Sequence, residues 1–211
     1  SELDPMFSPA ARQYGYDAAA ARKLLDEAGF STLRNNVRHN AAGEKLSIEL
    51  GTTAGNRVRE LVAQVIQSQL RQVGIEVRLK AEPPRIFFDA MGKRTYSGLG
   101  MYAWVQRPEG VPRSSLHSKE IPSAANGWSC QNYPGYANPE MDKALDAAER
   151  ELDAVNRRTL FAEIQKLAAD DLPSLPLFFR VDPFVIPKPL KGVTPTGTLN
   201  SSTLWVEQWR W

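Results

Sequence analysis

One cysteine, Cys130, stands alone in 211 residues, so no disulfide can form within the chain and the redox compartment is left open. Only two histidines are present, His39 and His117. Neither has a second imidazole, thiolate or carboxylate at ligand spacing, so no zinc site is expected. Long apolar runs are absent as well: none approaches the roughly 20 residues a membrane helix needs, and Ser1-Glu2-Leu3-Asp4-Pro5 is too acidic and polar for a signal peptide. There is little charge of one sign. Lys+Arg of 26 against Asp+Glu of 24 leaves +2, without the positive field of a general nucleic-acid binder, so nucleic acid is not an expected partner. Ser114-Ser115-Leu116-His117-Ser118 carries no nucleophile-elbow signature, Gly98-Leu99-Gly100 lacks the third glycine of a dinucleotide turn, and no P-loop lysine motif occurs. No cofactor is expected.

What is present is ordinary globular chemistry, with 42% hydrophobic and 24% charged residues, enough chain for one large domain or two small ones. Asp17 precedes an alanine-rich stretch, 18–28, that stops at Gly29, which predicts a capped helix. Residues 34–45 are polar and turn-prone, a loop or a hairpin that leads into a strand alternating Leu46, Ile48 and Leu50. From Arg57 to Val73 apolar residues fall at three-and-four spacing between a capping Asn56 and Gly74, and Ile75, Val77 and Leu79 then alternate again. Strand, helix and strand with short connections predict a parallel pair with a right-handed crossover. Pro83-Pro84 breaks that pattern before a short helix over 86–93 and an aromatic strand over 99–105. Residues 106–138 show almost no periodicity. Asn138-Pro139 opens a helix carrying Met141, Leu145, Ala148 and Leu152, and Asp153 caps a second with Leu160, Ile164, Leu167 and Ala168 on one face. Their carboxylates, including Asp142, Asp146, Glu149, Glu151, Asp153, Asp170 and Asp171, read as a solvated face. Strand-like stretches at 175–181 and 184–186 precede a tail in which Trp205, Trp209 and Trp211 would share one face if extended. A patch of that kind signals a missing partner or self-association.

The aromatic residues suggest where a ligand would sit. Tyr102 and Trp104 fall on the same face of the expected strand, with Trp104 where it enters the long loop, and strand ends in open α/β sheets are where ligands bind. Trp104 is either core or a packing wall. Gln106, Arg107, Asn126, Trp128 and Tyr133 can supply hydrogen bonds and stacking surface to a polar ligand; Arg107 can equally be a solvated loop charge.

Five segments, in order, resemble the dipeptide/oligopeptide class of extracellular solute-binding proteins that serve ABC importers. They are Tyr16-Asp17 with Ala21-Arg22-Lys23-Leu24-Leu25-Asp26-Glu27-Ala28-Gly29-Phe30; Gln69-Leu70-Arg71-Gln72-Val73-Gly74-Ile75-Glu76-Val77; Tyr136-Ala137-Asn138-Pro139-Glu140-Met141-Asp142; Leu172-Pro173-Ser174-Leu175-Pro176-Leu177-Phe178; and Lys191-Gly192-Val193. The resemblance is to the C-terminal part of such a protein. It implies a periplasmic-binding-protein-like (type II) second lobe, α/β with a mixed, partly parallel sheet and flanking helices, and a solute buried between two lobes by hinge closure. Residues 1–181 would form that lobe, and 182–211 would return toward a first lobe that, with the signal sequence, is expected outside this chain. The implied partners are a small-molecule or peptide solute, the first lobe and the importer's membrane subunits, and the implied location is periplasmic or extracytoplasmic. In peptide binders of the family an aspartate three residues after a strand-end tryptophan pairs with the peptide α-amine; with Trp104 as that tryptophan, the position holds Arg107. A guanidinium suits a carboxylate, phosphate or polar neutral group instead. Two other readings stay open: an α/β enzyme domain using paired carboxylates such as Glu109 and Asp142, and a sensor domain borrowing the receptor fold.

Overall fold

In the computed structural model, residues 4–104, 110–179, 183–195 and 203–211 are described. They divide into two compact units: a sheet unit, Gln13–Ala103 with Ile121–Gly135, and a helical unit, Ser1–Arg12, Trp104–Glu120 and Tyr136–Trp211.

The sheet unit begins with α1 (Ala18–Glu27), whose cap Asp17 accepts the Ala19 and Ala20 N–H groups through Oδ1, at 2.9 and 2.8 Å. Of the two forms open for residues 34–45, the chain adopts a hairpin. Strands β1 (Thr32–Arg34) and β2 (Val37–His39) pair antiparallel, and Asn35 and Asn36 take φ of 49° and 62°, the left-handed pair a tight two-residue turn requires. Strand β3 (Ser47–Thr53) pairs in parallel with β4 (Glu76–Glu82) on one side and β5 (Leu99–Met101) on the other. Among the described strands, antiparallel pairing is confined to the hairpin and a single bridge from its His39 to Lys45. Helix α2 (Arg57–Gln72), capped by Asn56, connects β3 to β4, and α3 (Pro84–Gly92) connects β4 to β5.

The pleat assigns these helices to opposite faces. Ile48, Leu50, Val77 and Met101 pack with Val62, Ala63, Ile66 and Leu70 of α2. Gly51 and Gly100, of opposite parity and paired in register, receive α3: Phe87 lies 3.5 Å from where a Gly51 side chain would begin, and Met91 Sδ 2.6 Å from the equivalent point at Gly100. Two adjacent positions without side chains let Phe87 and Met91 press onto the backbone, and both are buried.

In the helical unit, α4 (Arg113–Leu116) and a 3₁₀ turn at Ser118–Glu120 precede α5 (Pro139–Ala148) and α6 (Ala154–Asp171). Met141, Ala144, Leu145 and Ala148 of α5 bury against Phe161 and Ile164 of α6 and against Met6. Gln165 holds the N-terminal segment, accepting the Ser8 N–H at 3.0 Å and donating to the Met6 carbonyl at 2.6 Å.

Several expectations need correction. Helix α5 stops at Ala148 rather than reaching Leu152, because Asp153 must be extended to cap α6 and the Arg157 guanidinium satisfies the Ala148 carbonyl at 2.5 Å; Leu152 is 95% exposed. The aromatic strand ends at Met101, and Val105 lies outside the described residues. Among the described residues of 175–179 and 184–186 no strand forms, since none pairs there with a neighbouring strand. Nor is the tail extended from Trp205 to Trp211: a 3₁₀ turn, Val206–Gln208, breaks the alternation, leaving Trp205 and Trp209 half-buried and Trp211 82% exposed.

The carboxylates of α5 and α6 are not simply a solvated face. Arg113 donates to Asp146 at 2.5 Å and Glu149 at 3.1 Å, Ser118 binds Asp142 through its N–H and hydroxyl, and Tyr136 and Asn138 donate to Asp171 at 2.6 and 2.7 Å. These bonds hold Asp146 and Asp171 below the usual carboxylate range, while burial and the Asp171 bond raise Tyr136.

Candidate functional site

A parallel sheet of order β4-β3-β5 has its first strand in the middle, so successive connections leave it in opposite directions. Ligand sites in such sheets form outside the carboxyl ends where that direction reverses, here beside Thr53 and Met101. Tyr102 follows β5 immediately. Its ring meets Phe88 at 5.8 Å, Tyr133 at 6.0 Å and Phe87 at 6.2 Å between centroids, all edge-to-face. The Tyr96 hydroxyl donates to the Tyr133 carbonyl at 3.3 Å, tying residues 121–135 to the sheet. Burial raises both Tyr96 and Tyr133 above the usual phenol value, so each stays a neutral hydroxyl at neutral pH.

The 121–135 segment carries two more candidates in one turn. Asn126 closes a capping box: its Oδ1 accepts the Ser123 N–H at 2.9 Å and its Nδ2 donates to the Ile121 carbonyl at 2.8 Å, so its amide is spent on shaping the turn. Gly127 and Trp128 follow, both left-handed, at φ of 62° and 59°. A bulky residue in that region carries about 1–2 kcal/mol of backbone strain, and Trp128 is nevertheless 41% exposed. The Trp128 N–H returns to the Ser123 carbonyl at 2.9 Å, so the turn holds the indole where it stands.

The fold therefore gathers Tyr102 with Tyr133, and Asn126 with Trp128, in the sheet unit. Trp104 belongs to the helical unit and is 43% exposed, which sets aside the fully buried alternative for it. Gln106, Arg107 and Glu109 lie outside the described residues. Sequence reasoning missed Phe87 and Phe88 as part of the aromatic edge; two adjacent phenylalanines in a short helix, one of which cannot face the core, were the available signal.

Against this geometry, a sequence profile described as bacterial extracellular solute-binding proteins, family 5 Middle, matches residues 2–123. The chain belongs to this family. It is 27% identical over 190 residues to the oligopeptide-binding protein AppA of Bacillus subtilis, covering 85% of this chain and 32% of that protein. The nickel-binding periplasmic protein of Escherichia coli is 25% identical over 181 residues, 85% of this chain and 33% of that protein. The fold superposes on an oligopeptide-binding protein of Thermus thermophilus, solved with a pentapeptide, at a TM-score of 0.80 and 30% identity, over 92% of this chain and 34% of that one. The chain thus spans about a third of the length of the curated relatives it matches. The parallel sheet with flanking helices is the periplasmic-binding-protein architecture the sequence implied.

Proposed function

We propose that this chain is the second lobe of a two-lobed solute receptor for an ABC importer, binding a peptide or related polar solute without turnover outside the cytoplasm. The observation that carries the site is Trp128, a large aromatic side chain kept substantially exposed on a backbone conformation that costs energy. Strain of this kind persists where the surroundings over-determine it, and it concentrates at ligand clamps. Tyr102 supplies a second aromatic wall, and Asn126 acts through the shape of its turn. Trp104, Gln106 and Arg107 complete the candidate set, with Arg107 taking a carboxylate or strongly accepting group of the solute.

The first lobe and the importer's membrane subunits are the proposed partners. In this reading residues 1–181 form the lobe, and 182–211 run back toward the first lobe; exposed Phe184, Val185 and Ile186 support that assignment as apolar surface awaiting cover. Calorimetry of residues 1–211 with a tetrapeptide to hexapeptide library tests this: binding weaker than about 100 μM is expected, and micromolar or tighter binding by this chain alone would refute the split site.

A further inference from the structure

Away from that edge, a cleft of about 460 Å³ opens between α1, the β1–β2 turn and the C-terminal half of α2, and its lining includes Arg22, Arg38 and Arg71 but no acidic residue. Arg38 is compensated. Its buried guanidinium pairs with Asp26 and donates to the Phe30 and Val73 carbonyls at 2.7 and 2.8 Å. Arg22 donates to the Gln72 carbonyl at 3.1 Å, which fixes it over the end of α2, and Arg71 lies in that helix's last turn.

The C-termini of α1 and α2 present about half a negative charge each and Asp26 one more, against three guanidinium groups, so about one positive charge is left uncompensated. The neutral groups match this bias. Gln72 accepts from the Tyr16 hydroxyl through Oε1 at 3.1 Å, which leaves its Nε2 hydrogens for the cleft, and Asn36 and Ser68 add further donors. A donor-rich, acid-free cleft with excess positive charge is the chemistry of an oxyanion site.

We infer that this cleft binds an oxyanion, carboxylate or phosphate, held by the Arg71 and Arg22 guanidinium groups and the Gln72 amide. Exposed guanidinium groups bind little singly; two forks converging on one anion add both charge and geometry. The anion can arrive free or on an acidic peptide segment.

Titration of the ¹⁵N-labelled 211-residue chain with inorganic phosphate and, separately, with acetyl-Glu-Glu-Glu-Glu-amide tests the site at constant ionic strength. Saturable shifts confined to the neighbourhood of Asn36 and residues 71–74 are expected with at least one probe, weakened about fivefold or more by Arg71→Gln and unchanged by Arg150→Gln. Tighter binding of phosphate identifies a free-anion site, and tighter binding of the peptide identifies a docking point for an acidic segment; either supports the inference. Non-saturating shifts, shifts that sodium chloride reproduces, or affinity retained in Arg71→Gln would overturn it.

Discussion

The imidazole of His117 presents Nε2 to the Asp146 carboxylate at 3.4 Å while sitting 1% exposed against α5. Its Nδ1 accepts the Lys119 N–H at 3.0 Å, which places the proton of the neutral ring on Nε2, the edge facing Asp146. Burial of this ring, with the Arg113 bonds to Asp146 and Glu149 and the Ser118 bonds to Asp142, pins 113–120 to α5. His117→Ala is expected to lower stability by about 2–4 kcal/mol, through a cavity and a Lys119 N–H left without an acceptor. His117→Phe should recover only the packing part. An unchanged urea midpoint for the alanine variant would show that the imidazole carries no structural role.

Asp146 gives this clasp its pH dependence. The Arg113 hydrogen bond, and then the Arg113 charge, hold its carboxyl below the ordinary value of 3.8. A carboxylate whose folded value lies below its unfolded one stabilises the fold above the unfolded value, and that contribution disappears as pH falls through the folded value. Wild type should therefore exceed Asp146→Asn in urea midpoint at about pH 6, with the gap closing as pH falls below the ordinary carboxylate value of 3.8. A gap that stays constant across that range would mean that charge at Asp146 is not what the clasp uses.

Gly98 and Gly100 separate two kinds of glycine requirement in one strand region. At Gly98, φ is +78° and an added Cβ would strike the backbone of Glu49, which cannot yield without breaking β3. At Gly100 the clash is with Met91 Sδ and Cε, the flexible end of a side chain. Gly98→Ala should cost about 2–4 kcal/mol and Gly100→Ala about 1 kcal/mol or less, read from denaturation midpoints. Equal costs would mean that backbone conformation is not what selects Gly98.

Helices and strands with their own periodicity were legible in the sequence: the Asp17, Asn56, Asn138 and Asp153 caps and the β3–α2–β4 unit all stand as read. What escaped depends on contacts across the chain. His117 looked solitary because Asp142 and Asp146 lie 25 and 29 positions away in sequence, brought to it by the turn that opens on α5. Residues 175–179 form a short apolar run of the kind a buried strand carries, yet a strand needs a partner backbone, which no local pattern can specify. For the candidate site, residue type pointed to Tyr102 and Trp128, but the left-handed backbone at Trp128 and the structural use of the Asn126 amide follow from turn geometry alone.

That difference between neighbours separates support from contact. Asn126→Ala loses the bonds to Ser123 and Ile121 and should cost about 1–2 kcal/mol of stability, with solute binding in the complete receptor weakened through the displaced turn. Trp128→Gly acts otherwise. Relief of left-handed strain, about 1–2 kcal/mol, opposes the loss of a partly buried indole worth about the same, so stability should move by about 1 kcal/mol or less. Affinity for solute should nevertheless fall about tenfold or more, because the exposed part of the ring is the part a ligand would cover. Melting temperature and calorimetric affinity of both variants in the complete receptor decide the matter. Should Trp128→Gly bind as tightly as wild type, the strained tryptophan has some other reason and leaves the ligand site.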